Sequence, residues 1–187
     1  MKNIPNILTA IRLILVPFFP IIFFSNHPNA HLFALIIFII AGITDFLDGA
    51  IARKYQLITP FGTVFDPLAD KLMLLTALTS LYVDQTIPLW VLIIMLIKEL
   101  FMICTGIYLF LRKEKMIIPS NIFGKLATGV FSLAIVLLLI SPGMLELQYL
   151  VFAAVLFKLI AFSSYVRVMV QHQKTKKKIN SEAPHEH

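Results

Sequence analysis

Long apolar stretches separated by short polar connections make up most of the chain. Six of these stretches have about the 20 residues that an α-helix needs to cross the hydrocarbon core of a bilayer. They cover residues 5–24, 31–52, 60–82, 88–110, 121–141 and 146–170. The connections contain residues that favour turns or helix ends, such as Pro28 and Gly143. The pattern therefore predicts an all-α, polytopic membrane protein with six transmembrane helices.

The segment after the last apolar stretch has a different character. We expect residues 1–172 to form one transmembrane domain and residues 173–187 to form a basic, polar and disordered cytoplasmic tail. Much of the net charge of +6 lies in four lysines of this tail: Lys174, Lys176, Lys177 and Lys178. A basic cluster next to a membrane span is typical of contact with anionic lipid headgroups. We therefore predict membrane lipids, and no nucleic acid, as its partners.

The overall composition supports a membrane protein. Hydrophobic residues make up 59% of the chain, and the mean hydropathy is +0.88. A soluble domain has about half of its residues apolar, so an ordinary soluble protein is excluded. The single cysteine, Cys104, cannot form an intrachain disulfide.

The charges of the connections predict the orientation of the helices. Lys2 precedes the first stretch, Arg53 and Lys54 follow the second, Arg112 and its neighbours follow the fourth, and the lysine-rich tail follows the sixth. The other three connections contain no lysine or arginine. Since lysine and arginine concentrate on the cytoplasmic side, both termini should face the cytoplasm. We expect a multi-pass protein of the cell membrane whose polar site opens to the cytoplasm.

Four aspartates lie within the second and third apolar stretches. An aspartate at the centre of a membrane helix costs about 2.5–3.5 kcal/mol, so such residues are normally paired or functional. Asp45 and Asp48 are three residues apart, Asp66 and Asp70 are four apart, and each pair therefore shares a helix face. The connection between the two stretches is short, which makes the helices antiparallel neighbours. The sequence thus predicts that all four carboxylates converge near the cytoplasmic end.

Such a cluster is typical of a metal site. Its ligands are carboxylate oxygens without histidine or cysteine, which favours hard divalent ions. Two ions, Mg²⁺ or Mn²⁺, would neutralise four carboxylates, and a pair of metals suits phosphoryl displacement. Gly49 and Gly62 lie beside the aspartates and would let a phosphate or nucleotide approach the backbone. Small residues of this kind, including Ala52, are equally typical of helix packing in lipid.

The spacing of these residues resembles the signature of the CDP-alcohol phosphotransferases at every defined position. The matching pattern is Asp45-x2-Asp48-Gly49-x2-Ala52-Arg53-x8-Gly62-x3-Asp66-x3-Asp70. The segment Asn3 to Thr9 also resembles the N-terminal element of that family. The resemblance implies six transmembrane helices, a site open to the cytoplasm and a homodimer.

The resemblance also implies roles for individual residues. The four aspartates would hold two divalent metal ions, and Asp70 would in addition act as the base for the acceptor hydroxyl; the alternative is that Asp70 is a ligand only. The donor would be a CDP-activated lipid, CDP-diacylglycerol. The residues expected to bind it are Asn6, Thr9, Gly49, Ala52, Arg53, Thr59 and Gly62.

The acceptor is predicted from a narrower resemblance. Most family members that this chain resembles in length and in the run from Phe65 to Lys71 use sn-glycerol 3-phosphate. The phosphate of this acceptor needs cations besides the metals, and we expect Arg112 and Lys125 to supply them. Further options for this role are Lys98, Lys115 and Arg167.

Two other functions compete with this interpretation. A cardiolipin synthase of the same superfamily would use phosphatidylglycerol as its acceptor, and the Lys98–Glu99 pair, where the glycerophosphate enzymes are expected to have Arg-Glu, leaves room for it. A cation transporter would also place carboxylates in a membrane, although it predicts acids spread over several helices.

Overall fold

The computed structural model describes residues 4–55, 60–111 and 122–182. Within these ranges every regular element is an α-helix, which confirms the all-α prediction. The six helices are α1 (Ile4–Phe23), α2 (Ala30–Tyr55), α3 (Pro60–Val83), α4 (Leu89–Leu111), α5 (Ile122–Ile140) and α6 (Leu145–Glu182). They coincide with the six predicted stretches to within about a turn, except at the end of α6.

Helix α6 is longer than the sequence pattern predicts. Its apolar part covers Glu146–Ser164, but the helix continues through the lysine-rich segment to Glu182. Lysine is a good helix former, which is a physical reason for the helix to extend beyond its apolar part. The predicted tail, residues 173–187, therefore begins as helix, while residues 183–187 lie outside the described residues. The boundary between domain and tail stays a prediction.

The described helices are those of a multi-pass membrane protein. Five of them, α1, α2, α4, α5 and α6, are long and apolar enough to cross a membrane. Many of their large apolar side chains are exposed, including Ile14, Ile21 and Leu133, and such side chains suit a lipid environment. The remaining helix, α3, carries Asp66 and Asp70 and is not apolar enough to be counted with them.

Helix α3 lies at the centre of the bundle. It contacts α1, α2, α4 and α5, while α5 and α6 form a pair that joins the rest through α2, α3 and α4. The apolar core includes Phe19, Leu78, Met95 and Phe131, from four different helices, and all four are fully buried. Because α1 packs on both α2 and α3, its polar side chains are brought to the predicted aspartate cluster.

Replacing Gly143 with alanine is expected to lower the free energy of unfolding by about 1–2 kcal/mol. Gly143 lies in the turn between α5 and α6 with φ of 93°, a conformation that side chains rarely adopt. Thermal unfolding of the detergent-solubilised protein measures the effect. Gly129→Ala is the control, because a Cβ at this position on α5 meets nothing within 4 Å. Equal destabilisation by both substitutions would contradict the interpretation of the turn.

Candidate active site

The four aspartates of α2 and α3 lie close together. Asp45 is near enough to interact electrostatically with Asp48, Asp66 and Asp70, as the helix-face argument predicts. Their exposure differs: Asp48 is buried, Asp45 and Asp66 are partly accessible, and Asp70 is exposed. The cluster therefore has one buried carboxylate, that of Asp48, and three others that a ligand can reach.

An arginine from α1 forms ion pairs with the two aspartates of α2. Arg12 is only 1% exposed. Its Nη1 donates a hydrogen bond to Asp45 Oδ1 at 2.6 Å and lies 3.5 Å from the backbone carbonyl of Asp66, and its Nη2 donates to Asp48 Oδ2. The guanidinium thus ties α1 to both α2 and α3.

Sequence reasoning missed Arg12. It paired the aspartates with metal ions, although Arg12 stands within the first apolar stretch. An arginine at that depth needs a charged or polar partner, and the only acids predicted at membrane depth near the cytoplasmic end were the four aspartates. That combination was the signal that could have identified it.

Thr9 lies three residues before Arg12 and continues the same face of α1. Its hydroxyl donates a hydrogen bond to Asp66 Oδ1, and the residue is fully buried. Asn6 lies three residues before Thr9 and is partly exposed. The structure therefore directs a polar stripe of α1 at the aspartates, and Thr9, predicted as a nucleotide contact, bonds to a predicted metal ligand.

The structure describes the backbone of all but one of the other residues predicted to bind the CDP-activated lipid. Gly49 directly follows Asp48, Ala52 and Arg53 lie about one turn further along α2, and Gly62 lies one turn before Asp66 on α3. Thr59 falls outside the described residues.

The predicted acceptor contacts are not brought to the aspartates by any described interaction. Lys125 lies near the start of α5 and is exposed. Arg112 and Lys115 fall outside the described residues, and Arg167 is exposed on α6. Lys98, in contrast, belongs to a second buried group of charges.

This second group, called the lysine cluster below, consists of Lys71, Lys98 and Lys158 around Glu99. Glu99 is 1% exposed and comes from α4, as Lys98 does, while Lys71 comes from α3 and Lys158 from α6. Glu99 Oε2 accepts a bond from Lys71 at 2.5 Å, and Oε1 accepts one from Lys98 and lies 3.5 Å from Lys158. Asp70 also interacts electrostatically with Lys98 and Lys158. Sequence reasoning considered Lys98 as a contact of the acceptor phosphate and did not predict this group.

The aspartate cluster has the chemistry of a divalent-metal site. Four carboxylates face one described guanidinium, so most of their negative charge needs other cations, and oxygen ligands suit Mg²⁺ or Mn²⁺. Among the described residues, no three aspartate, glutamate, histidine or cysteine side chains are positioned so that they could together hold one metal ion. Arg12 and Thr9 instead bond to three of the four carboxylates. The four carboxylates fit divalent ions as ligands, and Arg12 and Thr9 would share these carboxylates with the ions.

Comparison with known proteins identifies the family. A family model described as CDP-alcohol phosphatidyltransferase matches residues 2–170. The chain belongs to this family. The resemblance that the aspartate spacing indicated is thereby confirmed, and the protein is a phosphatidyltransferase, not a cation transporter. The family uses divalent metal ions, in agreement with the carboxylate-rich site.

Three curated relatives are similar to this chain over most of their length. A protein of Bacillus subtilis named CDP-diacylglycerol--glycerol-3-phosphate 3-phosphatidyltransferase is 36% identical over 165 residues, which cover 82% of this chain and 84% of the relative. A Rickettsia typhi protein of the same name is 36% identical over 140 residues, covering 74% and 78%. A probable phosphatidylglycerophosphate synthase of Mycobacterium tuberculosis is 36% identical over 170 residues, covering 88% and 80%.

Proposed function

We propose that this phosphatidyltransferase moves the phosphatidyl group of CDP-diacylglycerol to sn-glycerol 3-phosphate, giving phosphatidylglycerophosphate and CMP. The observation that carries the proposal is the similarity to relatives whose names state this donor and acceptor, over most of both chains. The aspartate cluster supports the chemistry, because phosphoryl transfer depends on placing and neutralising charge.

The proposed reaction forms one bond and breaks another at the same phosphorus. The hydroxyl oxygen of the acceptor attacks the phosphatidyl phosphorus, and the bond from that phosphorus to the bridging pyrophosphate oxygen breaks. CMP leaves with the bridging oxygen, and the hydroxyl proton must go to a base. Asp70 is our proposed base, since it is the exposed carboxylate at the edge of the cluster.

The remaining aspartates prepare the site for the donor. We propose that Asp45, Asp48, Asp66 and Asp70 hold two divalent ions, which when bound would neutralise the pyrophosphate and the departing CMP. Arg12 fixes the carboxylates of Asp45 and Asp48 in position, and Thr9 fixes that of Asp66. Rigid placement of this kind lowers the reorganisation needed during reaction.

The donor is proposed to lie along α1, α2 and the start of α3. The residues that would bind its CDP part are Asn6, Thr9, Gly49, Ala52, Arg53, Thr59 and Gly62. The stripe formed by Asn6, Thr9 and Arg12 supports this placement, because it runs from the start of α1 to the aspartates. Arg112 and Lys125 stay proposed contacts for the acceptor phosphate as it approaches from the cytoplasmic side.

The arrangement in the membrane is proposed from the helix pattern and the loop charges. All six helices would cross the cell membrane, with α3 shielded by its neighbours, both termini in the cytoplasm and the aspartate cluster open to that side. Five apolar helices and the contacts of α3 with four others support this arrangement. We further propose a homodimer, as the family resemblance implies.

An acceptor panel tests the proposed function. The purified protein in detergent, given CDP-diacylglycerol and Mg²⁺, is expected to release CMP only when sn-glycerol 3-phosphate is added, and chelation should stop the release. Phosphatidylglycerol, serine and inositol phosphate are offered separately. CMP release with phosphatidylglycerol alone would overturn the acceptor in favour of cardiolipin synthesis, and mass spectrometry of the lipid product distinguishes the cases.

A further inference from the structure

The lysine cluster contains more positive than negative charge. Three ammonium groups surround the single carboxylate of Glu99, and all four side chains are largely withdrawn from solvent, with Lys158 only 4% exposed. The three lysines come from three different helices, α3, α4 and α6. In a medium of low dielectric constant such an excess of charge is unfavourable unless an anion balances it.

The position of Lys158 is hard to explain by structure alone. It lies within the apolar part of α6, and its described partners are the Glu99 carboxylate at 3.5 Å and the ring of Phe131, whose centroid is 4.6 Å from Nζ. Glu99 already accepts bonds from Lys71 and Lys98 at shorter distances. A lysine at this depth is normally retained for function, and an ammonium group has three donors, so Lys158 has donors to offer a ligand.

The cluster borders the aspartates through Asp70. Lys71 directly follows Asp70 on α3, and Asp70 interacts electrostatically with both Lys98 and Lys158. The aspartate cluster lies on the side of α1 and α2, while the lysine cluster lies on the side of α4 and α6. Asp70 therefore stands between a region that attracts cations and a region that attracts anions.

We propose that Lys71, Lys98 and Lys158 bind the phosphate group of the acceptor, which places a free hydroxyl of the acceptor beside Asp70. The inference rests on the proposed function, since it requires a phosphorylated acceptor. A phosphate dianion balances the excess positive charge and accepts several charge-assisted hydrogen bonds at once. The donor also carries phosphates, but its pyrophosphate belongs with the aspartates and their metal ions. Glu99 then acts as a positioning residue that holds the three lysines together.

Substitution of Lys158 with methionine is the first test. Methionine has a similar length, can pack on the ring of Phe131 and removes the charge. The KM for sn-glycerol 3-phosphate is expected to rise roughly 10- to 100-fold, the effect of losing a charge-assisted contact, while the KM for CDP-diacylglycerol changes less than about twofold. Lys54→Met is the matched control, because Lys54 is exposed and lies outside both clusters; it should change neither KM.

A second variant and a competitor keep the test decisive if Lys158→Met does not fold. Lys98→Met should show the same selective rise in the KM for sn-glycerol 3-phosphate. Inorganic phosphate should inhibit the wild-type enzyme competitively against sn-glycerol 3-phosphate, and not against CDP-diacylglycerol. A rise in both KM values by the same factor, or no rise in either, would show that the cluster is only structural and would overturn the proposal.

The wild-type protein separates failure of this proposal from failure of the proposed function. If the wild type uses sn-glycerol 3-phosphate and both lysine variants retain its KM, the function stands and the phosphate site is wrong. If the wild type uses only an acceptor without a phosphate monoester, the proposed function and this inference both fall, before any variant is made.

Discussion

Replacing Asp66 with asparagine is expected to lower the rate of CMP release by roughly a thousandfold or more. Asparagine keeps the shape of the side chain and its bond from Thr9 but removes the charge that a divalent ion needs. Removing a single group that stabilises charge in an active site commonly lowers the rate by a factor of about 10²–10³. The loss of a metal ligand should lower the rate by at least the upper end of that range. Initial rates with saturating donor and Mg²⁺ measure the effect.

The opposite end of the same helix supplies a control for Asp66. Asp84 follows α3 in the turn toward α4, where its Oδ2 accepts a hydrogen bond from Thr86 at 2.7 Å. Asp84→Asn removes the same charge far from the cluster and should leave the rate unchanged. A similar loss in both variants would point to general destabilisation, and normal turnover by Asp66→Asn would contradict its role as a ligand.

Removing the buried guanidinium of α1 is expected to destabilise the fold strongly. Arg12→Gln leaves the buried carboxylate of Asp48 without its cation, and breaking a buried ion pair from one side costs about 3–5 kcal/mol. Divalent ions should compensate in part, because they supply positive charge to the same carboxylates. We therefore expect the Tm of Arg12→Gln to rise more steeply with Mg²⁺ than the Tm of the wild type.

Thermal unfolding in detergent, with Mg²⁺ and with chelator, tests this expectation. Arg167→Gln is a suitable control for stability, because Arg167 is exposed on α6 and lies outside both clusters. Its Tm should match that of the wild type under both conditions. A loss of less than about 1 kcal/mol in Arg12→Gln, with the same Mg²⁺ dependence as the wild type, would show that Arg12 does not hold the cluster.

Most of the fold was predictable because the bilayer imposes simple rules. Apolar stretches of about 20 residues and short connections marked six helices, and five of them are apolar enough to span a membrane. The end of α6 was not predictable from hydropathy, which marks where a helix leaves the apolar region and not where it stops. Apart from α2, the neighbours of α3 were not predictable, because tertiary packing decides which helices surround a polar one.

The aspartate cluster could be predicted since its members lie on two adjacent helices at helical spacing. Asp45 and Asp66 are 21 positions apart, yet one short connection brings their helices side by side. Arg12 and the lysine cluster required contacts between helices that are distant in sequence. Lys71, Glu99 and Lys158 come from α3, α4 and α6, and no local spacing relates them. Unpaired charges within apolar stretches were the available signal, but they indicate that partners exist without identifying them.

The number of Mn²⁺ ions bound per chain tests the central claim most directly. Electron paramagnetic resonance of the purified protein, titrated with Mn²⁺ in the presence of CDP-diacylglycerol, counts the bound ions. The proposed site predicts two ions per chain in the wild type and in Asp84→Asn, and a loss of binding in Asp66→Asn that parallels its loss of turnover. Active wild-type enzyme that binds no ion, or full binding retained by Asp66→Asn, would contradict the assignment of these aspartates to the metals.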